Sequence, residues 1–305
     1  MIAAVMDPLS SINYAKDTSY YLLRAGLELG HRAFHIDQND ISLVQDQAYA
    51  LCTEVTLTAD KKLEVVAQAH LSLSDMRLIF VRTDPPFDRR YFYTTLMLDY
   101  CGPNTKVVNR PQALRDWNEK LAALEFPAFT PPTLVANQLL DFKRFAKDHP
   151  GRLVLKPIDG NGGKGIEFLM TDASDFDQVV QRKTEQGRRR IVVQAYVPQA
   201  SKGDIRVLFL KDQVLGAILR VHAEGKELNN LDQGGSAHPH QLTPRQKEIC
   251  QAMGPVMHKK GIDFVGIDFL GDHLIEINVT SPTGLQELCL FEKQDFHHRI
   301  ISELY

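Results

Sequence analysis

The chain has 305 residues, 44% of them hydrophobic, and its 35 basic and 38 acidic side chains leave a formal net charge of −3. That is enough chain for two or three packed domains, and the absence of a long block of one sign excludes a broad electrostatic footprint for nucleic acid or an anionic membrane. Small molecules are the expected partners.

The four cysteines, Cys52, Cys101, Cys250 and Cys289, are far apart and form no C-x-x-C pair, so reduced thiols in the cytoplasm are expected. The opening MIAAVMDPLS has no basic leader and turns polar early, as a first strand does. No apolar stretch approaches the roughly 18 residues of a membrane span. The densest basic run, Arg182, Lys183 and Arg188 to Arg190, brackets Glu185 and Gly187 and reads as a solvated helix end and loop.

The first half alternates short apolar strands with amphipathic helices, the pattern of a Rossmann-like α/β domain with a parallel sheet. Ile2 to Met6 is the opening strand. A helix follows from Asp17, Thr18 or Ser19 as N-cap to Gly30 as stop, with Tyr20, Leu23 and Leu27 on one face. Further strands fit Ala33 to Ile36, Leu78 to Arg82 and Lys106 to Asn109. After Arg82, the run Thr83-Asp84-Pro85-Pro86-Phe87-Asp88 cannot be helix interior, because consecutive prolines remove backbone donors. It is a loop at the carboxyl end of a strand, where open α/β sheets bind ligands, so Arg82 and Asp84 are either site residues or a rigid surface turn with a salt bridge.

A proline-rich stretch from Phe126 to Thr133 marks a linker or a change of domain. Beyond it the strands are longer and paired in sequence, so the second half reads as α+β and mainly antiparallel. Ile205 to Leu210 and Val214 to Leu219 flank Lys211-Asp212-Gln213 as one hairpin, and Phe264 to Leu270 and Leu274 to Asn278 flank Gly271-Asp272-His273 as another.

Three features could carry chemistry. Lys156 ends a strand and opens a loop with four glycines in the six positions from Gly160 to Gly165, which can bring backbone N–H groups close to phosphate oxygens. It is not a Walker A loop, since that spacing is absent and no helix follows. In the last hairpin, Glu276 and Asn278 alternate with Ile275, Ile277 and Val279 and so share one strand face, which offers the hard oxygens that magnesium takes. Asp268 joins them if the connection at Gly271-Asp272-His273 has three residues, which is the expected arrangement. Finally, Arg206, after Asp204, and Arg220 sit near the ends of adjacent strands and could receive phosphate or carboxylate, or be surface salt bridges. The polar stretch from His222 to His240, with Gly225, Gly234 and Gly235, is long for a connection and reads as a lid or as a disordered loop.

Lys120, the Lys156 to Gly165 loop, Gly203-Asp204-Ile205-Arg206 and Glu276-Ile277-Asn278, in that order, resemble the ATP-grasp superfamily, whose two α+β subdomains hold a nucleotide between them. Val5-Met6-Asp7-Pro8, Arg82 to Asp88, Asn109-Arg110-Pro111, Asn118-Glu119-Lys120-Leu121 and Glu276 to Pro282 closely resemble bacterial glutathione synthetases. The resemblance implies an N-terminal domain over residues 1–118, a small ATP-grasp subdomain over 119–196 and a large one with the metal site over 197–305.

It further implies ATP contacts from Lys120, Lys156, Gly160, Asn161, Gly162, Gly163 and Asp204, and an adenine hinge through Gln194, Tyr196 and Val197. Asp268, Glu276 and Asn278 would hold Mg2+ or Mn2+, and Arg206 and Arg220 would stabilise an acyl phosphate. Arg82, Asp84, Arg220, Asn278 and Ser281 would bind substrate. The implied reaction joins γ-glutamylcysteine to glycine with hydrolysis of ATP, in a homo-oligomer, most simply a tetramer. A related ligase with a changed substrate, and a nucleotide sensor without catalysis, are the alternatives.

Overall fold

The computed structural model describes residues 1–160, 162–221 and 235–305. The first sheet is built from β1 (Ile2–Val5), β2 (Ala33–Ile36), β3 (Ile41–Val44), β4 (Gln47–Leu57), β5 (Leu63–Ser72), β6 (Leu78–Val81) and β7 (Lys106–Val108). Its order is β3-β4-β2-β1-β6-β7, with β5 paired to β4. The central part, β2-β1-β6-β7, is parallel, and every residue of β1, β2 and β6 is buried, as expected of strands covered on both faces. Helices α1 (Thr18–Glu28), α2 (Arg89–Leu98) and α3 (Pro111–Asp116) accompany it. Of the three candidate N-caps for α1, Asp17 serves, its carboxylate accepting from the Tyr20 amide. Past the helix end, Gly30 has a φ of +85°, a conformation that suits glycine.

The parallel sheet expected from the sequence carries an addition: β3, β4 and β5 are antiparallel and extend it as an arm. Most of β5 is exposed, so its sequence, LEVVAQAHLS, carries no alternation of buried and solvated positions by which to recognise a strand.

The second sheet follows the proline-rich stretch. It contains β8 (Thr133–Ala136), β9 (Arg152–Pro157), β10 (Glu167–Met170) and β11 (Ile191–Ala195) in the antiparallel order β10-β9-β11-β8, with α4 (Leu139–Asp148) and α5 (Phe176–Lys183) packed on it. The third sheet has β12 (Asp204–Leu210), β13 (Gln213–Val221), β14 (Ser236–Pro239), β15 (Phe264–Leu270) and β16 (His273–Asn278), ordered β14-β13-β12-β15-β16. Helix α6 (Pro244–Lys260) opens with a capping box between Thr243 and Gln246, and α7 (Leu285–Glu292) and α8 (Phe296–Leu304) end the chain.

One expectation about turns is corrected. Leu270 pairs with His273, so the connection is the two-residue turn Gly271-Asp272 and not a three-residue loop. A register shift between Asp268 and Phe269 then leaves Ile275 unpaired and brings Asp268 opposite Glu276 after all. The β-bulge does what the longer loop was expected to do.

Asn109, just past β7, ties the first sheet to the third. Its Nδ2 donates to the carbonyls of Phe264 (2.8 Å) and Val279 (2.7 Å), while its Oδ1 accepts from the amides of Asp263 and Phe264, both at 2.8 Å. The last helix closes the chain on its beginning: α8 packs on α1, and the Tyr305 hydroxyl accepts from the N-terminal ammonium at 3.2 Å.

Candidate active site

A cavity of about 280 Å³ lies between the second and third sheets. Strand β9 and the loop after it contribute Lys156, Gly160, Gly162 and Gly163 to its wall; β11 and its continuation contribute Gln194, Tyr196 and Val197; β12, β13, β15 and β16 contribute Asp204, Arg206, Arg220, Asp268, Glu276 and Asn278. Lys120 and Glu119 reach it from the segment between the first and second sheets. Asn161, Gly225 and Gly234 lie outside the described residues, and Gly235 leads into β14.

Gly162 and Gly163 have φ of +57° and +77°, so the loop follows a path that suits glycine and exposes backbone to the cavity. Lys156 donates to Gln194 Oε1 at 2.6 Å, and Gln194 Nε2 in turn donates to Thr133. Burial pushes the Lys156 ammonium down to about 8. Lys120 donates to Glu276 Oε1 at 3.1 Å and to the carbonyl of Gly160, which fastens the glycine loop to the third sheet.

The arginines are anything but surface ion pairs. Arg206 Nε and Nη2 donate to the two oxygens of Asp268 at 2.6 and 2.7 Å, and Arg220 Nε and Nη2 donate to those of Asp204 at 2.6 and 3.0 Å. Arg220 Nη2 also reaches Asp268 Oδ2 at 2.8 Å, and Asn278 Nδ2 reaches the same oxygen at 3.1 Å. Burial alone would raise the Asp268 carboxyl, but Arg206 and Arg220 outweigh it and hold Asp268 far below the usual carboxylate range. Burial raises Asp204 to about 6 against the pull of Arg220. For Arg220, burial opposes the charge, and Asp268 and Asp204 overcome it.

Sequence reasoning missed Glu119 as a site residue. Its Oε1 accepts from both the amide (3.2 Å) and the hydroxyl (2.7 Å) of Thr280, and burial together with nearby Glu276 raises its carboxyl. The only trace of it in the sequence was its place beside Lys120 in the string Asn118-Glu119-Lys120.

A second cavity of about 570 Å³ opens at the carboxyl end of β6, and Arg82, Asp84 and Ser281 line it. Asp84 and Ser281 also border the first cavity, so the two are continuous. Arg82 is buried, donates to Ser19 Oγ (3.2 Å) and the Pro282 carbonyl (3.0 Å), and has its charge disfavoured by burial. Asp84 is raised by burial.

The family model for the prokaryotic glutathione synthetase N-terminal domain matches residues 1–115, and that for the prokaryotic glutathione synthetase ATP-grasp domain matches residues 119–293. The chain belongs to the prokaryotic glutathione synthetase family. Glutathione synthetases of Nostoc sp. and Pseudomonas syringae pv. tomato are 34% and 37% identical to it, over 99% and 94% of this chain and 96% and 91% of theirs. Among solved structures, D-cycloserine synthetase superposes with a TM-score of 0.68 at 16% identity, covering 100% of this chain and 98% of its own. An ATP-grasp ligase with a minimal precursor superposes at 0.66 and 16%, covering 99% and 97%. At such identity these two establish the fold alone. This prokaryotic glutathione synthetase is an ATP-dependent ligase with an ATP-grasp fold.

Proposed function

We infer that the enzyme joins γ-glutamylcysteine to glycine, giving glutathione, ADP and phosphate. The cysteinyl carboxylate attacks the γ-phosphorus of ATP and ADP leaves; the glycine amine then attacks the acyl carbon and phosphate leaves. The observation that carries this reading is the meeting of Lys120, Lys156, Arg206 and Arg220 with Asp268, Glu276 and Asn278 around one cavity that runs into a second.

In this assignment Lys120, Lys156 and the Gly160, Gly162 and Gly163 backbone receive the phosphates, while Gln194, Tyr196 and Val197 border the adenine. Arg220 stabilises the acyl phosphate and the charge that develops as the amine attacks, and Arg206 acts with it through Asp268. Asp204 orients Arg220. Arg82, Asp84, Asn278 and Ser281 bind the dipeptide.

Among the described residues no three His, Cys, Asp or Glu side chains form a metal-holding group. The donors nevertheless suit Mg2+ or Mn2+, which take one or two carboxylates plus substrate phosphates. Glu276 uses Oε1 for Lys120 and Asn278 uses Nδ2 for Asp268, which leaves Glu276 Oε2 and Asn278 Oδ1 without a protein partner among the described residues. Asp268, Glu276 and Asn278 would hold the ion, which when bound neutralises the charge of the transferring phosphoryl group.

The reading includes a homo-oligomer, a tetramer, in the cytoplasm. Self-association is supported by Phe92, Tyr93, Leu96 and Tyr100, large hydrophobic side chains left exposed on and just after α2. Among the described residues no helix is long and apolar enough to cross a membrane.

The test is phosphate release from ATP and magnesium with γ-glutamylcysteine, with and without glycine, and identification of the product by mass. Glycine-dependent turnover to glutathione is expected. Turnover only with another donor or amine would overturn the substrates while keeping the ligase chemistry, and nucleotide binding without turnover would overturn both.

A further inference from the structure

We propose that Thr133, at the end of the proline-rich stretch, is a positioning residue for the nucleotide site: its hydroxyl fixes the Gln194 amide so that the amide oxygen, and not its nitrogen, faces the Lys156 ammonium. The assignment rests on the reading that Lys156 receives a nucleotide phosphate, and adds to it what holds that lysine in place.

Sheet register brings the three side chains together. Val192 of β11 lies opposite Lys156 of β9, and Gln194, two residues further along the same face, lies opposite Thr133 of β8. Lys156, Gln194 and Thr133 thus follow a diagonal across three strands. Along it, Lys156 Nζ donates to Gln194 Oε1 at 2.6 Å, Gln194 Nε2 donates to Thr133 Oγ1 at 3.1 Å, and Thr133 Oγ1 donates to the Pro131 carbonyl at 2.8 Å.

Every link runs in one direction, and both ends enforce it. A carbonyl only accepts and an ammonium only donates. Thr133 has a single hydroxyl proton, which goes to Pro131, so toward Gln194 the hydroxyl can only accept. An amide turned over would set its NH2 against the ammonium and its oxygen against a hydroxyl with no proton left to give. Gln194 is 4% exposed, which leaves little water to relieve such a mismatch.

The place of the chain of bonds gives it a function. Lys156 and Gln194 line the smaller cavity, whereas Thr133 and Pro131 do not, so these two act on a nucleotide through Gln194. The acceptor that Lys156 meets is neutral, so the ammonium is held without being neutralised before a phosphate arrives. The same stretch reaches β11 a second time, where the Ala195 amide donates to the Pro132 carbonyl at 3.0 Å, just before Tyr196 and Val197. The two prolines restrict the backbone that carries both carbonyls, which gives this part of the sequence a role beyond that of a linker.

The experiment is a double-mutant cycle on the intact chain, read by calorimetry of ATP binding in the presence of magnesium. Thr133→Val keeps the size of the side chain and suits a strand, Thr133→Ser keeps the hydroxyl, and Lys156→Met removes the ammonium. Lys156→Met is expected to weaken ATP binding about tenfold or more, and Thr133→Val about threefold to tenfold, the weight of one neutral hydrogen bond. Thr133→Ser should stay within about twofold of the parent enzyme. Added to Lys156→Met, Thr133→Val should cause no further loss, because the group it positions is gone. In phosphate release, Thr133→Val should raise the KM for ATP by the same factor as the loss of affinity and leave the KM for the γ-glutamyl dipeptide unchanged. Undiminished affinity in Thr133→Val, an equal loss with and without the lysine, or no rescue by serine would overturn the positioning role while the phosphate reading of Lys156 stands. Undiminished affinity in Lys156→Met would overturn that phosphate reading, and the role of Thr133 with it.

Discussion

Arg206 grips Asp268 across neighbouring strands with two hydrogen bonds, Nε to Oδ1 at 2.6 Å and Nη2 to Oδ2 at 2.7 Å. Asp268 is 2% exposed and Arg220 shares its Oδ2, so this carboxylate compensates Arg206 and, together with Asp204, Arg220. Asp268→Ala should therefore cost about 3–5 kcal/mol of stability, measured by urea unfolding. A loss below about 1 kcal/mol would mean that the arginines find other partners or water.

The pH dependence of nucleotide binding should report Lys156. Burial lowers its ammonium to about 8, and phosphate binds the charged form. Affinity for ATP should be steady below that pH and weaken as pH rises through it, with proton uptake on binding above it. Calorimetry in buffers of different ionisation enthalpy checks both. Lys156→Met should bind ATP more weakly at pH 7 and show no such step. It should also be more stable there, because a lysine whose folded value lies below its unfolded one costs the fold most when it is fully charged.

Glu276 carries less of the fold than Asp268, since its side chain is 26% exposed and its one side-chain partner among the described residues is Lys120. Glu276→Ala should lower ATP turnover at least about a hundredfold with a small change in melting temperature. Unchanged turnover at limiting magnesium would remove Glu276 from the proposed metal set.

Asn109 makes four buried backbone hydrogen bonds across two sheets. Asn109→Ala leaves those backbone groups unpaired and should cost about 2–4 kcal/mol in thermal or urea unfolding. Increased amide exchange at Asp263 and Phe264 should accompany it.

The hold of Glu119 on Thr280 predicts a difference between two substitutions. A single oxygen, Oε1, accepts both Thr280 donors, so Glu119→Gln keeps that acceptor and Glu119→Ala removes it. The alanine variant should raise the KM for the dipeptide, because Ser281 follows Thr280 at the junction of the two cavities, and the glutamine variant should restore it. Equal loss in both would point to the charge of Glu119 and not to its positioning of the loop.

Much of the architecture was legible because burial leaves periodic marks. The apolar runs Ile2 to Met6 and Leu78 to Arg82 read as strands, and the structure has them as Ile2–Val5 and Leu78–Val81; the helix between Asp17 and Gly30 announced both of its ends. The exposed β5 carried no such mark. The turn at Gly271-Asp272 was misjudged because a loop length alone does not reveal a bulge within the paired strands; Asp268 and Glu276 faced each other for a different local reason from the one expected.

In the site, the alternation of Glu276 and Asn278 with apolar neighbours was enough to put both on one face, since side chains along a strand repeat every two residues. Spacing of that kind says which way a side chain points, and by itself the sequence also supplied the glycine loop, the lysines and the arginines. What those groups touch was decided by packing. Asp268 meets Arg206 from 62 positions away, Asn109 meets Val279 from 170, and Arg82 meets Pro282 from 200. No local pattern encodes such pairings, because they exist only once separate sheets have been brought together, and it is they that set the charge of each group and the shape of the two cavities.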